Sequence, residues 1–79
     1  MIIYIGNLHE KIEDIHLKEA FQDYGTVHSA KVIKDRYTGR SRGFGFIEMP
    51  DNKEAIKAIN TLNNGTWEGK KISVKKANS

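Results

Sequence analysis

Cysteine is absent, proline occurs once and no long apolar run is present, and each shortage excludes a class of protein. Without cysteine the chain has no disulfide framework, no thiolate metal site and no cysteine nucleophile, which fits a reducing compartment. No segment is long and apolar enough to predict a membrane span, and no basic prefix with an apolar run predicts a signal peptide. We therefore expect a soluble protein of the cytoplasm, or of an organelle or the nucleus if the source is eukaryotic.

The length and the charge distribution narrow the possibilities further. The 79 residues predict a single domain, 1–79, whose core can form alone but cannot enclose a deep active-site cavity. The net charge is only +3, yet residues 31–42 hold five basic residues and one acidic residue, whereas residues 1–30 sum to −3. Such segregation of positive charge favours an anionic partner, although chance can also produce it in a short chain.

Patterns that would indicate catalysis or metal binding are missing. His9, His16 and His28 share no metal-ligand spacing, so they are interpreted as structural or surface residues. No Ser-His-Asp, paired-carboxylate or P-loop arrangement occurs, and Gly43-Phe44-Gly45 lacks the later glycine of a dinucleotide-binding loop. We therefore expect a chain that is not an enzyme and that uses no metal, cofactor or small-molecule substrate.

The most informative stretch is an octamer with the pattern of a strand, Arg42-Gly43-Phe44-Gly45-Phe46-Ile47-Glu48-Met49. Its period of two places Phe44 and Phe46 on one face and fills the opposite face with Ile47 and Met49. Because apolar side chains already occupy the inward positions, the two aromatic rings are predicted to lie outside. The two glycines weaken the strand, so they indicate that another element, most simply a helix, packs closely behind it.

The rest of the chain alternates between strand and helix patterns. Strand patterns occupy residues 1–6, 27–34, 42–49 and 71–75, and helix patterns occupy residues 8–24 and 51–63. A turn over residues 35–41 joins the second strand to the octamer. The order strand, helix, strand, strand, helix, strand predicts the α+β, ferredoxin-like βαββαβ arrangement, with both helices on one face of a four-stranded antiparallel sheet.

Several buried positions follow from these patterns. The first helix is expected to bury a stripe that includes Ile15 or His16. The small residues Ala55 and Ala58 would let the second helix lie close to the sheet, where the octamer's glycines leave room. Trp67 falls in a short ribbon over residues 66–69 and is interpreted as a lid on the core in preference to another stacking ring.

The octamer resembles the marker of the RNA recognition motif family, Lys/Arg-Gly-Phe/Tyr-Gly/Ala-Phe-Val-any-Phe/Tyr. Seven positions fit, counting Ile47 for Val and the free position, and Met49 departs. Since Met49 faces inward, the departure should alter core packing and leave the outer face untouched. About forty residues earlier, Ile3-Tyr4-Ile5-Gly6-Asn7-Leu8 fits the second motif of the same family. The resemblance spans essentially the whole chain. In its length the chain is similar to the small single-domain members of bacteria and organelles, although an excised domain of a larger protein would look the same.

The resemblance implies a non-catalytic domain that binds single-stranded RNA, whose unstacked bases and phosphates suit aromatic rings and basic side chains. Tyr4, Phe44 and Phe46 would form one surface of coplanar stacking rings, called the aromatic platform below. Tyr37 could stack on a base or shield its loop, and the alternative interpretation of the basic loop is a solubilising turn. The other candidate binding residues are Asn7, Lys31, Arg36, Arg40, Arg42, Lys71, Lys75, Lys76, Ala77 and Asn78.

Two alternative functions stay open from the sequence. Some relatives use the same scaffold to bind peptides, but those usually lack the platform aromatics that this chain retains. Single-stranded DNA is the other alternative ligand, because stacking does not distinguish sugars. In each case we expect a monomer that does not bind membranes.

Overall fold

Strands and helices follow the predicted order, and the short ribbon expected over residues 66–69 is part of a hairpin that extends to Lys71. The computed structural model describes residues 1–77. The elements are β1 (Ile2–Gly6), α1 (Asp14–Gln22), β2 (Ser29–Lys34), β3 (Ser41–Glu48), α2 (Asn52–Leu62), β4 (Thr66–Trp67), β5 (Lys70–Lys71) and β6 (Ser73–Lys76). Neither helix is long and apolar enough to cross a membrane.

The main sheet has the strand order β2-β3-β1-β6, and every neighbouring pair is antiparallel. The octamer strand and the hexamer strand are therefore central neighbours, with Tyr4 opposite Phe46 and Gly6 opposite Phe44. The predicted α+β, ferredoxin-like fold is confirmed. One face of the sheet carries the helices, and the other, called the open face below, carries none of the elements formed by residues 1–77.

The core lies between the sheet and the helices. Alternate strand positions supply it, because successive side chains point to opposite faces. The fully buried large side chains are Ile3, Ile5, Leu17, Phe21, Ile47, Met49 and Val74. Met49 is thus inward as predicted, and its departure from the family pattern does not reach the open face. No polar or charged side chain among residues 1–77 is buried.

The first helix begins at Asp14 and ends at Gln22, within the helix pattern of residues 8–24. The N–H of Glu13 donates to Nδ1 of His16 at 2.8 Å, which satisfies a backbone donor that the first turn leaves without a partner. Ile12 is buried from the preceding loop, whereas Ile15 is 56% exposed. The predicted burial of Ile15 or His16 was wrong, since both lie on the solvent side of α1.

The two glycines of the octamer are required for different structural reasons. A Cβ on Gly45 would lie 2.5 Å from the carbonyl oxygen of Lys31 and 3.1 Å from Cδ1 of Leu17. The predicted close neighbour is therefore real, but it is β2 together with α1, and the expectation that α2 lies there was wrong. Gly43 has a φ of 81°, so it meets a conformational need of the backbone, and a Cβ there would make only an ordinary contact with the carbonyl oxygen of Leu8 at 3.6 Å.

The second helix and the C-terminal hairpin close the core. The carboxylate of Asp51 accepts the N–H of Glu54 at 3.0 Å, and Ala55 and Ala58 are fully buried. Trp67 is partly buried and packs against the core, which confirms its role as a lid. Lys71 pairs with Thr66 in the hairpin and not with β1, so the predicted closing strand was placed too early.

We expect Gly45→Ala to lower the free energy of unfolding by about 1–3 kcal/mol, because the added methyl group forces a strand carbonyl and Leu17 to move. Urea denaturation followed by Trp67 fluorescence measures this change. Lys57→Ala, on an exposed position of α2, is the control and should change stability by less than about 0.5 kcal/mol. Equal stability of the two variants would contradict the close approach at Gly45.

Candidate nucleic-acid interface

Three aromatic side chains meet on the open face. Tyr4 comes from β1, and Phe44 and Phe46 come from β3. The ring centroids are 6.0 Å apart for Tyr4 and Phe44, 5.9 Å for Tyr4 and Phe46, and 6.0 Å for Phe44 and Phe46. Tyr4 and Phe44 are partly buried, and Phe46 is 36% exposed. The aromatic platform therefore exists as one contiguous cluster.

The three rings are not coplanar, and that expectation was wrong. Tyr4 and Phe44 are inclined by 29°, whereas Phe46 stands at 64° to Tyr4 and at 88° to Phe44. Aromatic neighbours favour such edge-to-face contacts, because the positive edge of one ring meets the negative face of another. Two differently directed ring surfaces result, one from the Tyr4 and Phe44 pair and one from Phe46.

Gly6 sets the direction of the Tyr4 ring. Gly6 follows Tyr4 on the same face of β1, and a Cβ there would overlap the hydroxyl end of the tyrosine. The ring thus lies along the strand over the space that glycine leaves free. This position brings it beside Phe44, which is opposite Gly6 in the register.

Basic side chains surround the aromatic platform. Nζ of Lys75 lies 5.3 Å from the centroid of Tyr4, and Cζ of Arg42 lies 5.7 Å from the centroid of Phe44. Lys31 is opposite Phe46 on β2. A shallow depression beside the rings is lined by Tyr4, Phe46, Lys75, Lys76 and Ala77. The rings and these cations together fit a ligand that offers both flat surfaces and negative charge.

The loop between β2 and β3 is ordered by Asp35. Its carboxylate accepts the N–H groups of Tyr37 at 2.8 Å and Thr38 at 3.0 Å. The N–H groups of Thr38 and Tyr37 lower the pKa of Asp35 below its usual value of 3.8. Tyr37 is 88% exposed, and Cζ of Arg36 lies 5.6 Å from its ring centroid. The loop therefore presents an aromatic ring and a guanidinium to solvent instead of shielding itself.

Some candidates lie away from the rings. Nδ2 of Asn7 donates to the carbonyl of Lys71 at 2.8 Å, so this amide joins the hexamer to the C-terminal hairpin. Arg40 is exposed in the β2–β3 loop, and Asn78 lies outside the described residues. Nζ of Lys34 donates to the carboxylate of Glu13 at 2.8 Å, and this hydrogen-bonded ion pair raises the pKa of the lysine.

Two residues of the open face received no role from the sequence. Ile2 is 41% exposed, and Glu48, opposite it on β3, is partly exposed. The period of two in each strand already placed both residues on the same side as the aromatic platform, so the sequence alone could have identified them as residues of this face. No group of three or more His, Cys, Asp or Glu side chains within residues 1–77 is placed to hold a metal ion.

The loop order should depend on pH through Asp35. Because the pKa of Asp35 is lowered, its contribution is present above the pKa of the unfolded chain and is lost as the pH falls through the lower, folded pKa. The amide proton shifts of Tyr37 and Thr38 should therefore titrate with a midpoint below 3.8. Asp35→Asn is the control and should abolish the titration, whereas a midpoint at or above the usual value would contradict the hydrogen bonds.

Gly6→Ala should displace the Tyr4 ring, because its new Cβ takes the space of the tyrosine hydroxyl end. The far end of a flexible side chain can swing away, so stability should change by less than about 1 kcal/mol. Nuclear Overhauser contacts between Tyr4 and Phe44 ring protons should disappear, and those between Phe44 and Phe46 should remain as the internal control. Unchanged Tyr4 contacts in the folded variant would refute this role of Gly6.

Comparison with known proteins places the chain among relatives of the same architecture. The RNA recognition motif family model matches residues 3–73. The crystal structure of RNA binding protein PG1 superposes with a TM-score of 0.95 at 49% identity, covering 98% of this chain and 93% of that one.

Two similar proteins come from a chloroplast and a cyanobacterium. The 29 kDa ribonucleoprotein B of Nicotiana sylvestris chloroplasts is 45% identical over 75 residues, 95% of this chain and 26% of that protein. RbpA of Synechocystis sp. is 40% identical over 77 residues, 98% of this chain and 76% of that protein. The chain spans about a quarter of the length of the chloroplast ribonucleoproteins it matches. These matches confirm the predicted family resemblance and the prediction that the chain is not an enzyme. The chain belongs to the RNA recognition motif family.

Proposed function

We propose that the chain binds single-stranded RNA by stacking bases on Tyr4, Phe44 and Phe46. Family membership makes the chain an RNA-binding domain, and PG1, an RNA binding protein, shares its fold at 49% identity. The observation that carries the stacking proposal is the contiguous cluster of three rings on the open face. A soluble protein that exposes such a cluster without a partner loses the stability that burial would give.

Unpaired RNA suits this surface better than a duplex does. In a duplex the base faces are stacked on one another, whereas an unpaired segment exposes them to aromatic side chains. Stacking contributes about 1–3 kcal/mol per base, so three rings would supply about 3–9 kcal/mol before the cost of ordering the strand. We therefore expect two to four nucleotides to be bound with an affinity on the order of micromolar, about −8 kcal/mol.

The basic residues are proposed to contact phosphate. Arg42 and Lys75 lie beside rings, so a base on either ring leaves its phosphate within reach of a cation. Lys31 is in register with Phe46, and the exposed Arg36 and Arg40 extend the positive charge into the β2–β3 loop. Lys71 lies farther along, in the C-terminal hairpin. For a single strand, each phosphate contact should make the slope of log K, the association constant, against log salt concentration more negative by about 0.7.

We also propose an oligomeric state and a cellular location for the domain. The domain, residues 1–79, would act as a monomer, because pairing two copies through the open face would bring like charges together. Its relatives come from chloroplasts and a cyanobacterium, which supports a bacterial cytoplasm or the interior of an organelle. Single-stranded DNA would bind the same rings, and a contact with the 2′-hydroxyl would be needed to favour RNA.

Phe46→Ala should weaken binding of a labelled RNA heptamer about 10- to 100-fold, because one base loses its stacking partner. Fluorescence anisotropy measures this change, and a titration at several salt concentrations gives the number of phosphate contacts. Phe46 is exposed, so the variant should fold.

The control for this experiment is Ile15→Ala, which removes an exposed apolar side chain from α1 on the opposite side of the molecule. Its affinity for RNA should equal that of the unmodified chain. An affinity that is indifferent to both salt and Phe46→Ala would refute the stacking proposal.

A further inference from the structure

We infer that Glu48 gives the interface a preference for bases that present adjacent N–H donors, guanine above all, beside the ring of Phe46. This inference rests on the proposed function, since it assigns base selection to the same surface. The observation that carries it is the Glu48 carboxylate, which makes no hydrogen bond or ion pair within residues 1–77 and lies next to Phe46, the most exposed ring of the aromatic platform.

The position of Glu48 follows from the register. It is two residues beyond Phe46 on β3, so the two side chains share the open face and lie about 7 Å apart along the strand. On the neighbouring strands Glu48 is opposite Ile2 and Ser29. A base that covers Phe46 and extends toward this end of β3 therefore places one edge beside the carboxylate.

The charge pattern of the open face makes this carboxylate unusual. In the adjacent row, Lys31 and Lys75 flank Phe46 and Tyr4, which is the arrangement that attracts phosphate. In the row of Glu48 the residues in register are apolar or neutral, and within residues 1–77 the carboxylate makes no hydrogen bond or ion pair. A negative charge here weakens the general attraction for RNA, so phosphate affinity does not explain it.

The chemistry of a carboxylate determines which base it selects. An ionised carboxylate only accepts hydrogen bonds, and it has two oxygens side by side. Guanine offers N1–H and an N2 amino group next to each other, so it can pair with both oxygens at once. Adenine and cytosine offer one amino group beside an acceptor, and uracil places its single N–H between two carbonyl oxygens that the carboxylate repels. The expected order is guanine first and uracil last.

The same charge constrains where the RNA backbone lies. Glu48 repels phosphate, whereas the depression lined by Tyr4, Phe46, Lys75, Lys76 and Ala77 includes two lysines of β6, which is separated from Phe46 by Tyr4 of β1. The sugar-phosphate chain would thus pass over the lysines and direct the free edge of the base toward Glu48. The partly exposed Ile2 gives that base an apolar floor.

The test compares Glu48→Gln with the unmodified chain on four labelled heptamers, heptauridine and its versions with a central guanine, adenine or cytosine. Glutamine keeps the size of the side chain but replaces one acceptor with a donor. The unmodified chain should prefer the guanine heptamer over heptauridine by about fivefold or more, the effect of one good bidentate pair. In Glu48→Gln this ratio should fall below about twofold.

Glu19→Gln is the matched control, because it removes the same charge from an exposed position of α1. Both variants lose one negative charge, so a general gain in affinity should appear in both, and the guanine-to-uridine ratio alone reports base selection. Thermal denaturation confirms that each variant is folded.

Two different failures can be distinguished. If binding depends on Phe46 but the guanine ratio is absent, or persists in Glu48→Gln, the role of Glu48 is overturned and stacking stands. If no heptamer binds in a manner that depends on Phe46, the proposed function fails and the role of Glu48 fails with it.

Discussion

The antiparallel pairing of β1 with β3 is the constraint on which the rest of the molecule depends. It sets Tyr4 opposite Phe46 on the open face and Ile3 opposite Ile47 in the core. Because side chains alternate, a slip of one residue would exchange the two faces of one strand. The rings and the core are therefore fixed by the same backbone hydrogen bonds, and neither can be assembled without the other. Contacts at both ends hold this register, since Met1 donates to the carbonyl of Met49 at 2.8 Å and Leu8 donates to that of Gly43 at 2.9 Å.

The sequence predicted what period and motif determine. The alternation in the octamer placed Phe44 and Phe46 outside and Met49 inside, and the element order gave the fold. It did not predict details that depend on neighbours. The N-terminus of α1 has a cap in which His16 accepts a backbone N–H, a role that propensity does not assign to histidine. Ring inclinations depend on packing among three side chains from two strands, so one strand's pattern could not give them.

Glycine has a different function at each position where the sheet needs one. Gly45 allows the carbonyl of β2 and Leu17 of α1 to approach, Gly43 supplies a positive φ, and Gly6 leaves space for a tyrosine. The sequence predicted close approach for both octamer glycines, and only Gly45 fits that reason. Residue type alone does not separate a steric cause from a conformational one, because both require the absence of a Cβ.

The right angle between Phe44 and Phe46 has a consequence for the conformation of any strand that occupies both rings. Two consecutive bases that lie flat on perpendicular rings cannot remain stacked on each other, so the sugar-phosphate chain must turn between them. Segments that lose little on turning, such as hairpin loops and flexible pyrimidine tracts, would then be favoured over a stiff single-stranded helix of purines. Under the proposed stacking, the angle between the rings would thus discriminate among unpaired RNAs by their rigidity, independently of any contact with a base edge.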